Sequence, residues 1–208
     1  MLTLAVVFAV LGGEVTEGDT KAFDLTLLAA ARSSRVAHPW LSSVMRDLSG
    51  LGSPTVLTLV TVSAVGYLAL AKARSTAFLL AASAITGSAL VSILKGSYGR
   101  LRPDPAFADF VATGLSFPSG HATSSAVVYL TLGALFASTR ARMTERAYIL
   151  GIAAVVAALV GISRIALGVH WATDVLGGWA IGAAWAMLWL MVANFTARRS
   201  KPAAAPMD

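Results

Sequence analysis

The stretch from Ser163 to Asp174, SRIALGVHWATD, decides how the rest of the chain is read. It joins two apolar blocks, residues 148–169 and 173–195, and carries an arginine, a histidine and an aspartate at the junction. As a helix each block is about 30 Å long, enough to cross the hydrocarbon of a bilayer. A polar junction between two such blocks lies at a membrane face, so its charges share one level. Working outward, residues 120–137, 76–94 and 54–71 are further apolar blocks of spanning length, the last entered through Pro54, which suits a first helical turn. Lys72 and Arg74 close one turn, and Arg140, Arg142, Glu145 and Arg146 form another.

The composition agrees. Hydrophobic residues make up 57% of the 208 and charged residues 12%, with the apolar residues in blocks rather than amphipathic stripes. That is the balance of a membrane protein. The absence of cysteine excludes disulfides and thiolate metal sites. A net charge of +6 is accounted for by basic loops obeying the positive-inside rule, and no nucleic-acid partner is expected. Residues 1–11, MLTLAVVFAVL, reach only about 17 Å as a helix and lack both the basic start and the cleavage site of a signal peptide. They are expected to be a first transmembrane helix that is short or truncated. Residues 14–53 are mixed, with short helices at 25–31 and 40–48 in the membrane interface or in an ordinary loop. The fold expected is all-α, a polytopic bundle of six transmembrane helices. Residues 1–196 form one membrane-embedded domain, and 197–208 form a disordered, basic cytoplasmic tail.

Orientation follows from where the cations lie. Eight Lys or Arg fall on each side, but those at 72–75, 138–147 and in the tail are concentrated in short segments, where the rule has force. These are placed in the cytoplasm, and the junction at 163–174 then faces outward. At the same face Lys95 ends one helix, His121 opens the next, Arg164 nearly ends a third and Asp174 opens the last. Any one of these can be a snorkelling or structural residue, yet their joint convergence asks for a chemical reason. A phosphoryl group needs cations and N–H donors around its nonbridging oxygens. Lys95, Arg102 and Arg164 supply the cations, and Ser119 and Gly120 open a helix whose free N–H groups suit an anion. Ser119 has a structural alternative as an N-cap, as does Asp174. His170 and Asp174, four apart, allow the carboxylate to hold one ring nitrogen protonated and leave the other free to attack phosphorus. His121 is placed to protonate the departing oxygen and to activate water. His38 has no such partners and reads as structural.

Lys95 followed by six residues and Arg102-Pro103, then Pro118-Ser119-Gly120-His121, then Ser163-Arg164 with five residues to His170 and three more to Asp174, resemble the three-part signature of the type 2 phosphatidic acid phosphatase and vanadium haloperoxidase superfamily. All three parts match in order and spacing, and they cover residues 95–174. The resemblance implies a metal-independent, cofactor-free membrane lipid phosphatase. Lys95, Arg102, Ser119, Gly120 and Arg164 would bind phosphate, His121 would be the acid, His170 the nucleophile forming a phosphohistidine, and Asp174 its orienting partner. It further implies a lipid phosphate or diphosphate substrate, undecaprenyl diphosphate slightly ahead of phosphatidylglycerol phosphate or phosphatidate, and a multi-pass place in a bacterial inner membrane with the site at the extracytoplasmic face. Membrane lipids are the expected surroundings, with no obligate protein partner. Two other readings stand beside it: a noncatalytic lipid-phosphate binder or transporter, and a vanadate-dependent haloperoxidase.

Overall fold

In the computed structural model, which describes residues 1–199, every regular element is helical. Eight α-helices follow in order: α1 (Leu2–Glu17), α2 (Lys21–Ala37), α3 (Trp40–Gly50), α4 (Pro54–Leu70), α5 (Arg74–Tyr98), α6 (Gly120–Ser138), α7 (Met143–Ala166) and α8 (Ala172–Arg199). Four stretches are long and apolar enough to cross a membrane, namely Trp40–Leu70, Arg74–Tyr98, Met143–Ala166 and Ala172–Phe195. Helix α1, at 16 residues, is short, and α6 begins with the polar run Gly120 to Ser125. Length and composition thus deliver four crossings where six were expected.

Helix α6 is the centre of the bundle, packed against α5, α7 and α8. Its Ala122, Ala126, Val127 and Val128 are buried, as are Thr123, Ser125 and Thr131 between them. Small residues let the backbones approach without a hydrophobic drive between helices. At Gly182 a Cβ would stand 2.6 Å from the Thr123 carbonyl oxygen, so α6 and α8 meet there only through glycine. Gly161, Gly177 and Gly178 are likewise closely approached, whereas Gly151 has open space around it. Polar contacts reinforce the packing deeper in the bundle, where the indole N–H groups of Trp185 and Trp189 both donate to Thr86 Oγ1 at 3.2 and 3.1 Å.

The segment 14–53 is more ordered than its mixed composition suggests. Helix α1 runs on to Glu17, and α2 has 17 residues where a short helix at 25–31 was expected. Helix α1 lies against α8, and its Phe8 stacks with Phe117 and meets Tyr98 edge-on, at 5.5 and 5.9 Å between ring centroids. Helix α2 docks on the ends of α7 and α8. Trp40 is largely exposed, as an interfacial tryptophan is. His38 ends α2 on the surface. Helix α8 continues to Arg199, and the rest of the expected tail, 200–208, lies outside the described residues.

Candidate active site

Three helix ends and one long loop meet at one end of the bundle. Helix α5 ends at Tyr98 with Lys95 in its last turn, and the loop 99–119 runs from there to the start of α6. Ser116 N–H donates to the Arg100 carbonyl at 2.8 Å and Ser119 N–H to the Asp174 carbonyl at 2.9 Å, which ties the loop to itself and to α8. The Phe117–Pro118 peptide bond is cis. Between α7 and α8 the chain reverses through Gly168, with φ +72°, where a Cβ would fall 2.0 Å from the Phe107 carbonyl oxygen. Both the left-handed backbone and the close approach require glycine.

His170 is buried in that reversal, 1% exposed. Its Nδ1 lies 3.1 Å from Asp174 Oδ2, and its Nε2 lies 3.1 Å from Arg102 Nη1. A guanidinium can only donate, so Nε2 meets it with a lone pair and the proton resides on Nδ1. Asp174 Oδ2 also accepts from the Ser116 hydroxyl and, at 2.9 Å, from the Trp171 N–H. The latter bond is the return half of a capping box: Asp174, in the first turn of α8, binds the backbone just before the helix begins. Capping and imidazole orientation are therefore served by the same oxygen. Burial, only partly opposed by the Asp174 carboxylate, pushes the His170 imidazole down to about 4, so the ring is neutral at ordinary pH.

The cations surround this nitrogen. Arg102 also donates to the carbonyls of Val169, Thr113 and Gly114, at 2.7, 3.1 and 3.0 Å. Lys95 Nζ donates to the carbonyls of Leu115 and Ser116. Arg164 is 5% exposed, and its Nη1 donates to Ser49 Oγ at 2.6 Å while its guanidinium lies over the Phe110 ring. His121 is the second residue of α6, directly after Gly120 at the helix start. Gly120 faces Lys95, a Cβ there lying 3.9 Å from Lys95 Cε. Ser119 occupies the N-cap position of α6, yet its side chain caps nothing. Among the described residues, two buried side-chain polar atoms lack a hydrogen-bond partner, Ser119 Oγ and Arg164 Nε, and both belong to this cluster. All eight site residues expected from the sequence are thus gathered at one end.

Four participants were not foreseen. Arg100, counted only as an outer cation, lies between Asp174 and Asp24, with Nη1 2.7 Å from Asp174 Oδ1 and Nη2 2.7 Å from Asp24 Oδ2. Asp24 is fully buried and also accepts from the Thr173 N–H and hydroxyl, at 3.0 and 2.7 Å. Ser116 and Ser49 complete the set. Arg100 stands inside the motif stretch 95–103 and was open to suspicion on that ground; Asp24 and Ser49 carry no local signal.

A helical membrane bundle with a phosphate-type cluster of this kind defines a class, and comparison with known proteins agrees. The PAP2 superfamily profile matches residues 76–198. Phosphatidylglycerophosphatase B of Bacillus subtilis is 34% identical over 202 residues, 93% of each chain. Decaprenylphosphoryl-5-phosphoribose phosphatase of Mycobacterium tuberculosis is 33% identical over 163 residues, 77% of this chain and 85% of the relative. Among solved structures, the transmembrane PAP2-type phosphatidylglycerolphosphate phosphatase from Bacillus subtilis superposes with a TM-score of 0.85 at 29% identity, covering 98% of each chain. The chain belongs to the PAP2 superfamily. It is an enzyme, a membrane phosphatase of that superfamily.

Proposed function

We propose that the protein dephosphorylates a lipid phosphate through a phosphohistidine on His170. The observation that carries this reading is the pair of buried, unpartnered donors, Ser119 Oγ and Arg164 Nε, beside a histidine whose Nε2 lone pair faces the Arg102 guanidinium. Buried donors without acceptors are costly, and a phosphoryl group supplies the acceptors. Lys95, Arg102, Arg164, Ser119 and the N–H groups at Gly120 hold the nonbridging oxygens, with Arg102 passing from Nε2 to the phosphate as substrate enters. The Nε2 lone pair then attacks phosphorus, and the bond to the lipid oxygen breaks. His121 gives that oxygen a proton. In the second half His121 takes a proton from water, the water oxygen attacks phosphorus, and the N–P bond returns its electron pair to Nε2. Asp174 stabilises the Nδ1 proton throughout. No step calls for a metal ion.

The substrate favoured is a glycerophospholipid monophosphate of the phosphatidylglycerol phosphate type, because the relatives so named match this chain end to end. A polyprenyl carrier such as undecaprenyl diphosphate is the second reading, supported by the relative that acts on a decaprenyl-linked phosphate. Six crossings, counting α1 and α6, with the site outside the cytoplasm of a bacterial inner membrane, complete the proposal and rest on the clustering of cations in the opposite turns. The test is phosphate release by detergent-purified protein from both lipids side by side, with His170→Ala as control. Release from either lipid that disappears in the variant supports the mechanism. Release that persists in His170→Ala removes the nucleophile, and tight lipid binding without any release turns the reading toward a binder.

A further inference from the structure

We infer that Arg100, clamped by Asp24 from α2, is a positioning residue that sets the orientation of Asp174 and, through it, of His170. The inference rests on the reading of His170 as nucleophile. Asp174 has two carboxylate oxygens with divided duties. Oδ2 faces His170, Ser116 and the Trp171 N–H, and Oδ1 is held by Arg100 at 2.7 Å. A carboxylate anchored at one oxygen only can rotate, and a guanidinium on the other oxygen fixes its plane. Arg100 is itself fixed at several points: Nη1 also reaches Thr173 Oγ1 at 2.8 Å, Nη2 reaches Asp24 Oδ2 at 2.7 Å and Thr20 Oγ1 at 3.4 Å, and its guanidinium lies over the Trp171 ring.

Asp24 is the unexpected member. It sits on a helix whose neighbouring residues are mostly exposed, yet it is fully buried, and each of its oxygens is engaged by Thr173 or Arg100. A buried carboxylate is tolerated only when paired in this way. Two acidic groups flank one cation, so Arg100 is fully occupied by protein carboxylates and, unlike Arg102 and Arg164, does not serve the phosphate. Its effect on the reaction must pass through Asp174.

The charged and titratable groups that act on the imidazole come from four elements: Arg102 from the loop, His121 from α6, Arg164 from α7 and Asp174 from α8, with Arg100 and Asp24 behind the last and Lys95 of α5 acting on Arg102 and Asp174. Removing Arg100 leaves two carboxylates uncompensated on one side of the ring and favours its protonated form. The acid limb of the rate profile then moves to higher pH, which a loss of packing alone does not produce.

The test compares Arg100→Gln, Arg100→Lys, Asp24→Asn, the double variant Asp24→Asn/Arg100→Gln and His170→Ala on phosphatidylglycerol phosphate in detergent. A misdirected catalytic group costs about 30- to 100-fold, so kcat of Arg100→Gln is expected to fall by that factor with KM changed less than about threefold. Arg100→Lys recovers part of the loss, and the acid limb of kcat/KM in Arg100→Gln rises by about one pH unit. Because Asp24 acts through Arg100, Asp24→Asn costs less than Arg100→Gln and adds nothing to it in the double variant. Two results overturn the inference while leaving the nucleophile in place: kcat within about threefold of the parent in the Arg100 variants, or independent, multiplicative losses with an unmoved acid limb, either of them with His170→Ala inactive. Activity in His170→Ala overturns both. If Arg100→Gln does not fold, Arg100→Lys and Asp24→Asn carry the same comparison.

Discussion

Replacing Asp174 by asparagine keeps its volume and removes one charge, and the surrounding donors decide the consequence. In Asp174 both oxygens are acceptors, one for Arg100 and one for His170, Ser116 and the Trp171 N–H. Asparagine has one acceptor and one donating group. If its amide nitrogen takes the Oδ1 place it meets the Arg100 guanidinium, and if it takes the Oδ2 place it meets three donors. The second arrangement forces the imidazole to carry its proton on Nε2, where the attacking lone pair has to be. The first leaves Arg100 opposed by a donor and frees the side chain to rotate. Either way kcat is expected to fall by about 1,000- to 10,000-fold, the loss typical of an orienting carboxylate, equivalent to about 4 to 5.5 kcal/mol of barrier. Folding should survive, because Asp24, Arg100 and Asp174 carry two negative charges and one positive, and the variant leaves them balanced. Steady-state phosphate release in detergent, with a thermal melt of the same preparation, gives both quantities. Retention of more than about a tenth of the parent kcat in a protein with an unchanged melting temperature would refute the orienting role.

Other outcomes are expected from the same geometry. Under the proposed mechanism His170 has to be neutral to attack, and it is pushed down to about 4, so kcat/KM is expected to show no loss from this group between pH 7 and 5 and to fall with an acid limb near 4; a limb near 6.5 in a pH-rate profile would contradict the burial argument. Gly168→Ala forces a side chain into a left-handed backbone and against the Phe107 carbonyl, and a destabilisation of about 2 to 4 kcal/mol should appear in thermal or denaturant unfolding. Phosphate release should be unaffected by saturating EDTA, and recovery of activity only on adding a divalent cation would count against the mechanism.

The gathering of the candidate residues was legible because it is written in short-range spacing. Lys95 to Arg102, Ser119 to His121 and Arg164 to Asp174 each lie close together in sequence around a helix end, so the order of helix ends was enough to bring them to one level. Arg100 shares the first of these stretches, but nothing in its spacing distinguishes a cation for phosphate from one for Asp24. Asp24 and Ser49 meet the site across 149 and 115 residues, and a lone acidic or hydroxyl residue in a mixed segment looks the same whether it faces water or a buried arginine. The same blindness shortened α2, where Arg35 donates to the carbonyls of Ala166, the last residue of α7, and of Phe107 in the loop before α6. The crossing count suffered for a different reason. Helix α6 pairs its polar face with neighbouring helices, so average hydropathy understates how deeply it is buried.

The two anchors of α2 also tie an early helix to two late ones. Arg35 finds its acceptor 131 residues downstream, and Asp24 finds its donor 149 residues downstream, in the first turn of the last helix. Of the partners that engage α2 in the folded protein, α3, Phe107 and α7 precede α8 in the chain, whereas Asp24 is engaged by Thr173 at the start of α8. Only when α8 has been inserted do Thr173 and Asp174 exist for Asp24 and Arg100 to grip. Without α8 neither Thr173 nor Asp174 is present, so the buried pairing of Asp24, Arg100 and Asp174 needs the early helix α2 and the late helix α8 together.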